Sequence, residues 1–190
     1  MQAAQAAGKG ILFLTPHLGC FEITAQYAAS HPDASPITVL FRPPRQRWAE
    51  SILRYGRTRE GMAVAPADLS GVRRLIRALK AGESVGLLPD QVPPAGQGAW
   101  LPWFGQPAYT MTLAARLAQI GASVIFAYAE RLPKGQGFIL TCTPSGEPLP
   151  LDDLEATAAA INRNLMQLIC RCPTQYLWGY NRYKTPRELN

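Results

Sequence analysis

Short apolar runs alternate along this chain with amphipathic stretches, which is the pattern of βαβ units wound on a mainly parallel sheet. Strands are expected near Ile11–Thr15, Ile37–Phe41, Met62–Ala65, Ser84–Leu88, Ser123–Ala129 and Phe138–Thr143. Helices are expected near Cys20–Ser30, Arg47–Arg57, Leu69–Ala81, Thr110–Gly121 and Leu154–Arg171. The clearest helix places Leu69, Val72, Leu75, Ile76 and Leu79 at the helical period with basic residues opposite, and Lys80 and Gly82 supply its stop. The fold class is therefore α/β, a mainly parallel central sheet flanked by helices. With 190 residues and 47% hydrophobic content the chain can bury the core of one domain, residues 1–190. The Pro/Gly-rich stretch Pro89–Pro107 reads as an ordered functional loop inside that domain. MQAAQAAGKG leads almost at once into a core-type strand with no earlier layer to cover one sheet edge, so a further segment upstream is expected.

In such folds chemistry collects where strands end and helices begin. His17, one of only two histidines, stands at that point after the run ILFLT, and Glu22 follows after four intervening residues. Five positions on one ideal helix would set the two side chains about 140° apart. They can meet only if His17 lies in the turn and Glu22 in the first turns of the helix, and Gly19 supports that break. A carboxylate accepting one imidazole N–H would fix the tautomer, while the other ring nitrogen takes a proton from a hydroxyl. That is activation of an alcohol without an enzyme nucleophile.

Further groups fall on the same rim. Phe41-Arg42-Pro43-Pro44 follows a strand, and Arg54, Arg57 and Arg59 close the next helix, so arginine there could grip phosphate or carboxylate or could form a solvated basic face. Asp90, in Pro89-Asp90-Gln91, ends another strand. It could bind a sugar hydroxyl, hold an arginine, or cap a turn. The segment AWLPWFGQPAY exposes Trp100, Trp103 and Phe104 for an acyl channel or a membrane-facing lip, unless it folds back over the core. Gln175–Lys184 mixes aromatics with Arg182 and Lys184. That suits a membrane interface or a phosphosugar, or simply a terminal strand of alternating rings.

A formal charge of +6 favours an acidic partner without choosing among nucleic acid, anionic membrane, phosphorylated substrate or acidic carrier protein. Cys20, Cys142, Cys170 and Cys172 show neither zinc spacing nor a disulfide framework and read as reduced packing thiols of a cytosolic setting. No run of about 18 apolar residues predicts a bilayer-spanning helix. The first apolar run, broken by Pro16 and His17, is too short for a secretory signal. A nucleophile elbow, a phosphate-cradling Walker loop and an HExxH zinc motif are all missing from the sequence.

Four ordered blocks, taken together, resemble the late acyltransferases of lipid A biosynthesis, the lauroyl/myristoyl group within the glycerol-3-phosphate acyltransferase-like superfamily. They are HLGCFE at His17–Glu22; FRPP at Phe41–Pro44 with GRTR at Gly56–Arg59; PDQ at Pro89–Gln91 with WLPWFGQPA at Trp100–Ala108; and QYLWGYNRYKTP at Gln175–Pro186. The resemblance implies transfer of a fatty acyl chain from acyl carrier protein, or sometimes coenzyme A, to a glycolipid hydroxyl at the cytoplasmic face of the inner membrane. No metal or bound cofactor is implied. His17 would be the general base and Glu22 its orienting carboxylate. Arg57 and Asp90 would meet the acceptor's phosphate and sugar, and Arg42, Gln91 and Arg182 are further substrate-binding expectations. Members of the family usually carry an additional N-terminal portion with a membrane-anchoring helix. Competing readings are the same chemistry on another glycolipid or lysophospholipid, a thioesterase, and a module that binds polyanions. The last leaves His17, Glu22 and the WLPWFG loop unexplained, so nucleic acid is not the expected partner.

Overall fold

The computed structural model describes residues 8–30, 35–41 and 60–188. Among the described residues six strands form the main sheet: β1 (Ile11–Leu14), β2 (Ile37–Phe41), β3 (Met62–Pro66), β4 (Ser84–Leu87), β7 (Ser123–Arg131) and β8 (Phe138–Pro144). Their spatial order is β3-β2-β4-β1-β7-β8, parallel throughout except for the last pairing of β7 with β8. β1 occupies the interior, in register with Ser84–Leu87 on one side and Ser123–Phe126 on the other. An interior parallel strand has both faces covered, and all four residues of β1 are buried.

Alternation divides the core into two layers. Ile11, Phe13, Ile37, Met62, Ile125 and Ala127 pack on the face covered by helix α1 (Phe21–Ser30). Leu12, Leu14, Val85, Leu87, Phe126 and Tyr128 belong to the larger core. That core also takes residues of α2 (Leu69–Lys80), α3 (Leu113–Ala118) and α4 (Leu154–Arg171). α1 presents small residues, Ala25, Ala28 and Ala29, to its layer and so fills it thinly.

The expected strands and the helices α1, α2 and α4 are present within a few residues of their predicted bounds. The stretch from Pro89 to Pro107 differs from its reading as a loop. Its second half and the start of the expected helix at Thr110–Gly121 form a hairpin, β5 (Gly98–Trp103) and β6 (Gln106–Met111), and α3 is correspondingly short. Pro102 and Pro107 stand opposite each other in this two-stranded ribbon, where proline obstructs little because each strand has a free edge. The turn at Phe104 and Gly105 has positive φ at both residues, 47° and 78°, as a two-residue hairpin turn requires. The C-terminal aromatic segment is no terminal strand: after the 3-10 turn Pro173–Gln175 it runs in turns, with a single bridge from Tyr176 to Leu18. The expected helix Arg47–Arg57 lies outside the described residues, as do Arg42, Arg54, Arg57 and Arg59.

Candidate active site

The turn after β1 is fixed by backbone bonds before any catalytic side chain is considered. Gly19 has φ of +61°, and a Cβ there would overlap the carbonyl oxygen of Ala129, so only glycine fits. Cys20 donates to that same oxygen at 2.8 Å, Gly19 donates to Gln175 O at 3.0 Å, and Leu177 donates to His17 O at 3.1 Å. Gln175 extends this pairing with its side chain, which accepts from Arg131 N and donates to Arg131 O, both at 2.9 Å. A strand edge is thus completed by one side-chain amide, and the turn carrying His17 is clamped from the C-terminal segment.

His17 is partly exposed, 16% for its side chain, and its ring meets Phe21 edge-on with centroids 4.8 Å apart. Asp90, 1% exposed, accepts from Nδ1 through Oδ1 at 2.7 Å and from the backbone N–H of His17 through Oδ2 at 2.8 Å. A carboxylate on Nδ1 holds the proton there and leaves Nε2 as the basic nitrogen. Gln91 brings its amide nitrogen to 3.3 Å from Nε2. Two consecutive residues of one loop therefore hold the two nitrogens of one ring.

The H-x4-E spacing suggests Glu22 as the orienting carboxylate; the carboxylate on Nδ1 is Asp90, from a loop 73 positions away. Such a partner leaves no trace in local spacing, although Asp90 and His17 were both expected on one rim. Glu22 lies in the first turn of α1 and lines the cavity beside His17. The reading of Arg182 as a substrate contact does not fit its position. It is 4% exposed, donates to Tyr109 O at 2.7 Å and to Thr110 Oγ1 at 2.8 Å, and lies over the Trp103 ring at 4.9 Å. Burial pushes its guanidinium below the ordinary value, while the charge of Asp90 acts in the opposite direction. Sequence reasoning missed Tyr176. Its phenol is pushed well up by burial first and then by the charge of Asp90, so it stays protonated and presents a hydroxyl to that carboxylate. Behind Asp90 stand a neutral donor and a buried cation.

His17 and Gln91 line a cavity of about 840 Å³. Its wall also includes Phe13, Ile37, Val39, Met62 and Ala127 from the layer under α1, together with Gly86. Gln97, Thr112 and Arg116 line it as well. Burial raises the thiol of Cys142 in the apolar wall, and all four cysteines are free.

An imidazole fixed by a buried carboxylate, at the carboxyl rim of a parallel sheet and beside a cavity lined largely by apolar residues, is an arrangement of an α/β protein that can move a proton. The sequence narrows this further. Residues 1–185 match the family described as bacterial lipid A biosynthesis acyltransferases, and the chain belongs to that family. It is 31% identical over 187 residues to the lipid A biosynthesis lauroyltransferase of Escherichia coli K12, and 28% identical over 189 residues to the palmitoleoyltransferase of the same organism. It is likewise 28% identical to the lipid A biosynthesis acyltransferase of Shigella flexneri. Each comparison covers 97% of this chain and 59% of the relative, so the chain spans less than two thirds of their length.

Proposed function

We propose that this chain carries the catalytic machinery of an O-acyltransferase that moves a fatty acyl group from an acyl carrier protein thioester to a hydroxyl of a lipid A precursor. The observation that carries the reading is His17, its Nδ1 held by Asp90, in the wall of a cavity lined by the apolar residues under α1. The acceptor hydroxyl gives its proton to Nε2 as its oxygen attacks the thioester carbon. The imidazolium formed is stabilised by Asp90. The C–S bond then breaks, and the thiolate takes the proton from His17. The acyl chain lies against the apolar residues of the cavity under α1, where apolar burial contributes about 0.8 kcal/mol per CH₂. Glu22 remains a second carboxylate at the cavity wall, suited to a hydroxyl of the acceptor sugar.

Two surface features support acidic partners. The formal charge of +6 complements an acidic carrier protein or an anionic lipid face. Trp178, 58% exposed, stands beside Phe104 with centroids 6.1 Å apart, near the cation Lys184 in sequence, a combination suited to headgroup depth. Among the described residues no helix is long and apolar enough to cross a membrane.

Mass spectrometry of a tetra-acylated lipid A precursor incubated with the protein and acyl carrier protein thioesters tests the reading. A gain of one acyl chain that His17→Ala abolishes is the expected result. Thioester consumption with other lipids but not this one would reassign the acceptor, and no consumption with any would end the acyltransferase reading.

A further inference from the structure

Gln91 carries a role that neither the His–Asp pair nor the cavity explains, and the inference rests on the acyl-transfer reading above. Because Asp90 holds the proton on Nδ1, Nε2 has only a lone pair to offer, and the Gln91 amide 3.3 Å away is the donor of that contact. An amide nitrogen carries two N–H groups, of which this contact uses one. The side chain lines the cavity. The preceding residue is bound to His17, and the following one, Val92, donates its N–H to the Tyr180 hydroxyl at 2.8 Å. Both neighbours are held, so the loop presents the Gln91 amide from a fixed position.

A hydroxyl activated by His17 must come within hydrogen-bond reach of the same Nε2. It therefore arrives beside the Gln91 amide and takes over the lone pair that the amide was holding. We propose that Gln91 is a catalytic residue: displaced from Nε2 by the acceptor hydroxyl, its N–H groups serve the thioester carbonyl oxygen as negative charge develops there. The attacking oxygen forms the new C–O bond and the carbonyl π pair moves onto oxygen, where Gln91 hydrogen-bonds it. Collapse restores the carbonyl and expels the thiolate, which takes the proton from the imidazolium. The same amide thus guards the base before the acceptor arrives and stabilises the intermediate afterwards.

The test compares two reactions of the dodecanoyl thioester of acyl carrier protein: transfer to the tetra-acylated precursor, and attack by water without acceptor. Both pass through the same oxyanion, so Gln91→Ala should lower kcat of each by about 10²–10³-fold with KM little changed. Gln91→Glu, which has no N–H and adds negative charge, should lose at least as much, and Gln91→Met, which keeps the length and bulk, should match alanine. Thermal melting of all three controls for folding. Near wild-type kcat in folded Gln91→Met would overturn the proposal. So would loss of transfer with hydrolysis intact, which would make Gln91 an acceptor contact. If the unaltered protein consumes no thioester, the underlying acyl-transfer reading fails and takes this role with it; if the unaltered protein is active and only the Gln91 series fails to respond, the role alone fails.

Discussion

At the scale of single residues the site turns on which carboxylate serves His17. Asp90 is fully desolvated and makes two short bonds to that residue, whereas Glu22 stands at the cavity wall. Asp90→Asn keeps the shape of the side chain but can present an amide N–H to Nδ1, favouring the wrong tautomer. Its kcat should fall by about 10²–10⁴-fold, the range that general-base catalysis contributes. Glu22→Gln should act mainly through KM for the acceptor. Steady-state kinetics of the two variants would separate these roles, and the reverse pattern would return the orienting contact to Glu22. His17 and Asp90 were both legible in the sequence, because each follows an apolar run. Their pairing was not, because it depends on β4 lying next to β1.

Among the elements, α2 shows how far local rules reach. Its amphipathic period and stop were visible in sequence, and Asp68 proves to be its N-cap, accepting from Ser70 N at 2.8 Å and Gly71 N at 3.0 Å. The hydroxyl of Ser70 first, and then the backbone N–H of Gly71, hold the Asp68 carboxyl below its usual range. A depressed folded value contributes stability above the ordinary carboxylate value and loses it as pH falls through the folded one. Asp68→Ala should therefore melt below wild type by a constant margin near neutrality, and the margin should shrink below about pH 4. Melting curves taken from pH 7 down to pH 3 would show it. The hairpin β5–β6 was the element that local rules concealed. Two prolines and a non-glycine residue at positive φ argue for a loop, and only packing of α4 against β5 reveals the ribbon.

Over the whole molecule, charge and exposed rings act together. Binding to vesicles of anionic phospholipid should weaken as salt rises, since contacts between exposed charges are screened within about 10 Å at 0.1 M. Trp178→Ala should weaken it further at every salt concentration, because it removes apolar contact. Co-sedimentation measures both, and salt-independent binding would argue against the electrostatic half. The α/β class and its parallel sheet could be read from alternation alone. The cavity could not, since its lining combines small residues of α1, Ala25 and Ala28, with Gly86 of β4.

The clamp formed by Gln175 and Leu177 on the turn at His17 has a consequence for timing. Gln175 and Leu177 follow every described strand in the chain, so those strands emerge from the ribosome before the residues that hold the His17 turn in place. A chain halted before Gln175 can pair its strands but lacks the bonds that fix this turn.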